Sequence, residues 1–494
     1  MTPNAVASRH VHSPDLRFGP CIEVLIKPAE HRLIADIAGK IRSAQPDLRP
    51  AAPSMDEPTP GLHGGSRLVI EDHREIPLCR DLGSSLEERA LFMAGDGDVV
   101  LASEPRCAEF EDYCRNLLGL GRVVVKRLAG PAHMPLPTRC SADAASMSDL
   151  LELARTTGDL DLVPYIGTAS VWGLARVLAA AGVRINVAAP PAALTSRVNN
   201  KLWFVEMVRS LVGPEAAPAT WEAASVAELA DHLEELARCH EGLVVKVAES
   251  AGGRGIVRLD GATIRSRGAA AVVRRLARRL GNDGWTGRYP LQVGVWEHPI
   301  LASPSVQVWI PLAGDGDPTV QGVYEQCLDG GYRFAGAFTT TLPERWNLTL
   351  ATEAVRLGML LQALGYFGPC SFDGILVGSR LADATLRWVE CNGRWTSTSL
   401  AQLTAWRLTG NTDLPLVTIQ HHGAVPARSF DSMVRLLGGD AFHKRDDGSG
   451  AVIMAPRRML DGTGLCLLVV GPNVTFVGEL ARDLSERFSD RTHR

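Results

Sequence analysis

Between residues 98 and 190 short apolar runs alternate with helical stretches, and this alternation limits the chain's possible folds more than any other feature. DVVLASE (98–104) reads as a strand, AEFEDYCRNLLGL after it as a helix, and RVVVKRL as a second strand. LDLVPYIG (160–167) is a further strand. SVWGLARVLAAAG (170–182) is a helix closed by a glycine, and VRINVAAP is the next strand. Strands joined through helices are connected by crossovers, which makes them parallel, so an α/β unit is expected.

Composition narrows the class. The chain is 46% hydrophobic and 21% charged, as globular proteins are, and its 494 residues suggest about three domains. A net charge of −4 supplies no basic field for nucleic acid or an anionic membrane. No apolar run is long enough to span a bilayer, and the start lacks the apolar core of a signal peptide. Ten scattered cysteines without a CxxC read as reduced thiols, so a cytoplasmic location is expected. Neither HExxH nor GxSxG occurs. Gly39-Lys40 is followed by Ile41, with Ile34 where the first glycine of a P-loop would stand. No GxGxxG follows a strand, so the first unit is Rossmann-like without a dinucleotide fingerprint.

The Pro- and Gly-rich AAPSMDEPTPGLHGGS, about residues 50 to 66, reads as an exposed loop or an insertion. From about 192 the texture changes. LTSRVNNKLWFVEMVRSLVG reads as one amphipathic helix with Asn199, Asn200 and Lys201 near its start, and WEAASVAELADHLEELARC as a second. EGLVVKVAES and IVRLDG are strands around the glycine loop AGGRG. AAAVVRRLARRLG is a helix whose paired arginines form a solvated face. LQVGVWEHPI, SPSVQVWIPL, TVQGVYEQCL and YRFAGAFT are strands, and LTLATEAVRLGMLLQALG is a helix. The tail from about 412 alternates short strands and helices and reads as a small separate lobe.

The stretch FGPCSFDGILVGSRLADATLRWVECNGRW concentrates oxygen-bearing side chains. On a strand, residues two apart face the same side, so Glu390 and Asn392 point together. With the turn centred near Ala382 and Asp383, Asp373 is expected across from Asn392. Two carboxylates that close repel each other unless a cation lies between them, and magnesium or manganese suits an all-oxygen set. A plain hairpin with a wet polar face is the alternative for an ExN pattern alone. Upstream, Lys246 sits inside an apolar strand, where a lysine is costly to bury unless it meets an anion. Gly252, Gly253 and Gly255 follow; glycines let backbone N–H groups approach phosphate oxygens. Lys201 would add a second cation, although by itself it reads as a surface helix lysine.

The ordered set VNNK, VVKVAESAGGRGI, LQVGVWEHPI, FGPCSFDGILV and WVECNGR, over about 195 to 410, resembles the ATP-grasp superfamily of carboxylate–amine ligases. LVPYIGTASVWGLARVLAAAG ahead of it resembles the pre-ATP-grasp domain. SPSVQVWIPL, VYEQCL and the tail resemble the peptide-ligase branch that builds pheganomycin-type peptides. The resemblance implies an α/β architecture. A Rossmann-like pre-ATP-grasp domain (1–194) would precede an ATP-grasp fold of two α+β lobes clasping ATP (195–411), followed by a small C-terminal α+β lobe (412–494). It implies that Lys201 and Lys246 hold ATP phosphates under a loop of Gly252, Gly253 and Gly255. Val295, Trp296 and Glu297 would follow the adenine, with backbone groups of Val295 and Trp296 reading it. Asp373, Glu390 and Asn392 would hold Mg2+ or Mn2+. Arg394 would steady the transferred phosphoryl group or acyl phosphate, and Gln326 would face the metal site or acceptor. One departure is that many family members carry a Glu where Gly294 stands.

The chemistry so implied is ATP-dependent activation of a small-molecule carboxylic acid as an acyl phosphate, then displacement by an amine or peptide, as in peptide natural-product biosynthesis. No nucleic-acid or membrane partner is expected, and a homodimer is compatible with the resemblance. An ATP-grasp kinase acting on a hydroxyl and a non-catalytic nucleotide-binding regulator remain as alternatives. His421-His422 reads as a surface pair. Cys370 and Cys391 read as small packing residues. Arg254 and Arg333 read as surface arginines that could instead bind a substrate carboxylate. No residue announces itself as the base that deprotonates the amine.

Overall fold

The computed structural model describes residues 15–18, 22–48, 57–79, 85–103, 105 and 107–489. Its first sheet is parallel and has six strands: β1 (Thr59–Pro60), β2 (Ser66–Ile70), β3 (Val99–Ser103), β4 (Val124–Leu128), β5 (Asp159–Pro164) and β6 (Arg184–Val187), in the order β1-β6-β5-β2-β3-β4. The central strands β2, β3 and β5 carry apolar residues on both faces, as a sheet covered on both sides requires. Leu68, Ile70, Leu160 and Leu162 pack into the core under the helix Ala169–Ala179. Val69, Val100 and Val163 turn to the other side, toward Phe92 and Phe110. The chain runs outward from β2 through β3 to β4, then returns to β5 on the opposite flank of β2. The direction of winding therefore reverses between β2 and β5.

Several expected elements differ in detail. Residues 50–56 of the Pro- and Gly-rich stretch lie outside the described residues, but Thr59–Pro60 pairs in parallel with β6 instead of forming a free loop. AEFEDYCRNLLGL is α-helical over Ala108–Asp112 and widens to a π-helix over Tyr113–Leu117. The single helix expected after residue 192 is two helices, Ala192–Val198 and Lys201–Leu211. Asn200 breaks them apart: its side chain accepts from Leu202 N at 3.0 Å and Trp203 N at 3.2 Å, an N-cap worth about 1 kcal/mol. The segment WEAA is a strand, β7 (Thr220–Ala223), and Ser225 caps the helix Val226–Leu236 that follows it.

β7, β8 (Gly242–Val247), β9 (Ile256–Asp260) and β10 (Leu291–Val295) form a second, antiparallel sheet in the order β7-β10-β8-β9. The helix Ala269–Asn282 buries Val272, Val273, Leu276 and Leu280 against it, with Arg274, Arg275 and Arg278 outside. The third sheet holds β11 (Ile300–Ala302), β12 (Pro304–Ile310), β13 (Thr319–Asp329), β14 (Arg333–Thr339), β15 (Gly368–Val377), β16 (Thr385–Asn392), β17 (Leu416–His422), β18 (Gly450–Ile453) and β19 (Gly464–Val470). The long helix Glu344–Ala363 crosses it. The tail, expected to stand apart, extends this sheet: β14 pairs with β17 through Gly336↔Ile419 and Phe338↔Val417, and β17 pairs with β19. A parallel sheet followed by two antiparallel sheets that face a common cleft is the architecture that the resemblance implies.

Candidate active site

The hairpin of β15 and β16 carries the centre of the site. Its turn is tighter than the sequence suggests, with Val377 pairing Thr385, and Val389 is an extra residue that bulges out of β16. The result corrects the expected register: Asp373 stands opposite Glu390, and Asn392 stands opposite Ser371. The three side chains still meet. Asn392 Nδ2 donates to Asp373 Oδ2 at 2.9 Å, and Arg394 Nη2 donates to Asn392 Oδ1 at 2.6 Å. Arg394 also reaches Asn199 Oδ1. On the other flank, Ser305 Oγ of β12 donates to Asp373 Oδ1 at 2.6 Å, and the Gln326 side chain bonds to the same carboxyl.

These groups line a cleft of about 510 Å³ between the second and third sheets. Lys246 of β8 lines it as well, as do Gly252 and Gly253 of the glycine loop. Both glycines have left-handed backbone, with φ of 65° and 77°. A Cβ on Gly253 would stand 2.2 Å from the Tyr332 carbonyl oxygen, so the loop lies down on the turn between β13 and β14. Gly255 closes the loop at φ 67° and is packed under Leu78 and Val247, away from the cleft wall. Arg254 and Arg333 line the cleft, as does His422, whose residue is otherwise exposed.

Hydrogen bonds bear on two of the expected roles. Lys201 is no surface lysine: it is 3% exposed, and its Nζ donates to Ser250 O at 2.7 Å and Ser250 Oγ at 3.2 Å and pairs with Glu390 Oε2 at 3.1 Å. Its three hydrogens have three protein partners, so it braces Glu390 against the base of the glycine loop from behind the cleft wall. At the hinge, Val295, Trp296 and Glu297 line the cleft, but Val295 N donates to Ala219 O at 3.0 Å and Trp296 N to Gly242 O at 2.9 Å. Those two N–H groups are spent on the sheet and are not available to a base. Gly294 has no room for a larger residue, since its Cβ would meet Ala219 O at 2.6 Å.

Charge is distributed unevenly. Burial raises the Asp373 carboxyl to about 7, and the neighbouring Glu390 charge adds to this; Ser305, Gln326 and Arg394 pull the other way. Burial works upward on Glu390 too, but Lys201 and Lys246 outweigh it and hold its carboxyl below the ordinary value. Burial lowers the Lys246 ammonium to about 8 despite Glu390. A pair of facing carboxyls, one of them kept from ionising by burial and by the charge of the other, fits a divalent cation, and Asn392 adds a neutral oxygen. Among the described residues no cluster of three or more His, Cys, Asp or Glu side chains forms a metal site of another kind.

Ser305 and Gln307 escaped the sequence reading. Gln307 Nε2 donates to Ser305 Oγ at 2.9 Å, and Thr396 Oγ1 donates to Gln307 Oε1 at 3.1 Å, which ties the loop after β16 to Asp373. Their signal was present: two polar residues at i and i+2 within the apolar run SVQVWI, the same spacing that singled out Glu390 and Asn392. Cys370 and Cys391 are buried with their Sγ atoms 3.4 Å apart, as packing residues.

Comparison with known proteins agrees with this architecture. Residues 87–180 match the family model described as the Pre ATP-grasp domain. No curated protein matches the chain by sequence. Among solved structures, N5-carboxyaminoimidazole synthetase of Staphylococcus aureus, in complex with ADP, superposes with TM-score 0.51 at 11% identity, covering 88% of this chain and 100% of that one. The biotin carboxylase domain of 2-oxoglutarate carboxylase from Hydrogenobacter thermophilus, solved with MgADP, ADP and bicarbonate, gives 0.51 at 13% identity over 85% and 89%. N5-carboxyaminoimidazole synthase from Aspergillus clavatus, with ADP and its aminoimidazole ribonucleotide, gives 0.50 at 12% over 86% and 99%. At such identities the likeness concerns the fold. No described helix is long and apolar enough to cross a membrane.

Proposed function

We propose that the protein is an ATP-dependent carboxylate–amine ligase that works through an acyl phosphate. The observation that carries this reading is the meeting of Asp373, Glu390 and Asn392 with Lys246 and a glycine loop in one cleft of an ATP-grasp fold. The structural likeness to the ADP-bound N5-carboxyaminoimidazole synthetase and biotin carboxylase domain supports it. Asp373, Glu390 and Asn392 would hold Mg2+ or Mn2+, which when bound neutralises charge on phosphate oxygens. Lys246 would meet the phosphates from β8, and Gly252 and Gly253 would cover them with backbone N–H groups. Glu297 and the hinge carbonyls, instead of the spent N–H groups of Val295 and Trp296, would border the adenine. Arg394, anchored by Asn199 and Asn392, would hold the acyl phosphate. The chain needs no side-chain nucleophile, because positioning and charge neutralisation suffice for this chemistry. Its resemblance to pheganomycin-type peptide ligases makes amino acids or peptides the favoured substrates, with a domain boundary near 194 and, after 411, a tail that continues the third sheet.

The test is trapping. The protein is incubated with ATP, magnesium, pooled amino acids and small aryl acids, with hydroxylamine in place of the amine. ADP with an acid-dependent hydroxamate, lost in the Asp373→Ala, Glu390→Ala double variant, is the expected result. Release of AMP would mean adenylation and would overturn the reading.

A further inference from the structure

In a doubly wound sheet the crevice beyond the carboxyl ends of the strands, where the winding direction reverses, is where ligands bind. Here that reversal lies between β2 and β5, and the residues immediately after the two strands are Glu71-Asp72-His73 and Tyr165. The His73 and Tyr165 rings pack with centroids 4.3 Å apart, and both line the cleft that holds Asp373. The loop after β16 closes against them. Trp395 N donates to Tyr165 O at 3.0 Å, and Ser397 Oγ accepts from Arg89 Nη1 at 3.0 Å. Arg394 is near enough to Tyr165 to act on its phenol. The first domain therefore presents His73 beside the segment that carries Arg394.

His73 is held in one orientation. Its Nε2 lies 3.0 Å from Glu71 Oε1, an oxygen that also accepts from Arg89 Nε at 2.8 Å and from Arg89 Nη2. Glu71, His73 and Arg89 are 0%, 5% and 1% exposed. Arg89 Nη2 lies 3.5 Å from the same Nε2, farther than the Glu71 oxygen at 3.0 Å, so the nearer acceptor sets the tautomer: the imidazole proton is assigned to Nε2 and the lone pair to Nδ1. Among the described residues no group hydrogen-bonds Nδ1, and it is not among the sealed polar atoms. Burial, with Arg89 adding to it and Glu71 and Asp72 opposing, keeps the ring below the ordinary histidine value and so unprotonated. Carboxylate, imidazole and an open lone pair form the base half of a triad without its nucleophile.

We propose that His73 is the base that takes the proton from the attacking amine, with the acceptor substrate entering the crevice between β2 and β5. The inference rests on the ligase reading above. The amine lone pair forms the C–N bond, and the C–O bond to phosphate breaks with its electron pair leaving on phosphate. The amine arrives as an ammonium, and the proton it must lose to free that lone pair passes to His73 Nδ1, where Glu71 stabilises the imidazolium; the second nitrogen proton, shed as the amide forms, leaves on the phosphate. A histidine placed for this task contributes about 10²–10⁴-fold.

The experiment compares two nucleophiles on the full chain with magnesium and ATP: hydroxylamine, which is already neutral near pH 7 and needs no base, and pooled amino acids as amines. His73→Gln keeps a donor toward Glu71 and removes the Nδ1 lone pair. The expected result is a fall of about 100-fold or more in the ratio of amide to hydroxamate, with recovery of amide in His73→Ala on adding imidazole. An unchanged ratio, or equal loss of both products without imidazole rescue, would show that His73 only fastens the domains together and would overturn the proposal. Absence of acid-dependent hydroxamate from the unaltered protein would instead remove the ligase reading, and the role of His73 with it.

Discussion

Asp373 faces Glu390 across the β15–β16 ladder, yet only Glu390 has lysines beside it. The pair is thereby split: Glu390 is ionised throughout the neutral range, and Asp373 loses its proton only at about pH 7. A divalent cation must displace that proton. Magnesium binding is therefore expected to release close to one proton at pH 6 and little at pH 8, and to tighten as pH rises between them. Calorimetry in buffers of different ionisation enthalpy measures this directly. Proton release that does not vary with pH would place the metal elsewhere.

The same raised carboxyl affects stability. A group protonated more readily in the folded than in the unfolded chain stabilises fully below its unfolded value, and that contribution is lost as pH rises through the folded one. For Asp373 the window runs from about 4 to about 7. Asp373→Asn is expected to stabilise the metal-free protein at pH 8 by on the order of 1 kcal/mol, a Tm rise of roughly 1 °C for a chain of this length, with the advantage shrinking toward pH 4. Magnesium should raise the Tm of the unaltered protein and leave that of the variant in place. Thermal unfolding with and without magnesium at both pH values gives the comparison.

Lys246 gives an opposite sign. Its ammonium is lowered to about 8 by burial, and phosphate oxygens would raise it again. ATP binding should take up protons between about pH 8 and 10, and affinity should weaken across that window. Lys246→Met should remove most of the affinity and abolish the proton uptake, both read in one titration. Lys201→Met should act differently, because Lys201 touches Ser250 and Glu390 and not the cleft. It frees Glu390 to rise, and its main effect should appear in magnesium binding.

Much of this fold and site is legible in the sequence alone. The strand assignments of Val99–Ser103, Arg184–Val187 and Gly242–Val247 follow from runs of Val, Ile and Leu between turn residues. Glu390 and Asn392 share a face because strand geometry has period two. What escaped depends on one residue at a time. The bulge at Val389 moved Asp373 from Asn392 to Glu390, and nothing in TLRWVECN marks an extra residue. Asn200 could have been seen as a helix start, since Asn is a strong N-cap, but the apolar spacing runs through it. The uses of the Val295 and Trp296 N–H groups depend on Ala219 and Gly242, remote partners that no local pattern shows. The partnership of Glu71, His73 and Arg89 likewise exists only once β2 has its neighbours in the sheet.

Gly253 tests whether the loop works by closing. Its φ of 77° is left-handed, which costs a residue with a side chain roughly 1–2 kcal/mol, and its Cβ would lie 2.2 Å from the Tyr332 carbonyl oxygen. A backbone oxygen cannot yield as a side chain can, so Gly253→Ala must lift the loop off the β13–β14 turn. Gly252, with a similar φ but nothing within 4 Å of its Cβ, supplies the control: Gly252→Ala carries the conformational cost without the clash. If closure shields an acyl phosphate from water, Gly253→Ala should raise the ADP released per hydroxamate trapped several-fold, and Gly252→Ala should do so much less. Hydrogen exchange over residues 251–255 should rise in the first variant at saturating ATP. Equal coupling in both variants would mean that the loop contributes N–H groups to the phosphates without acting as a lid.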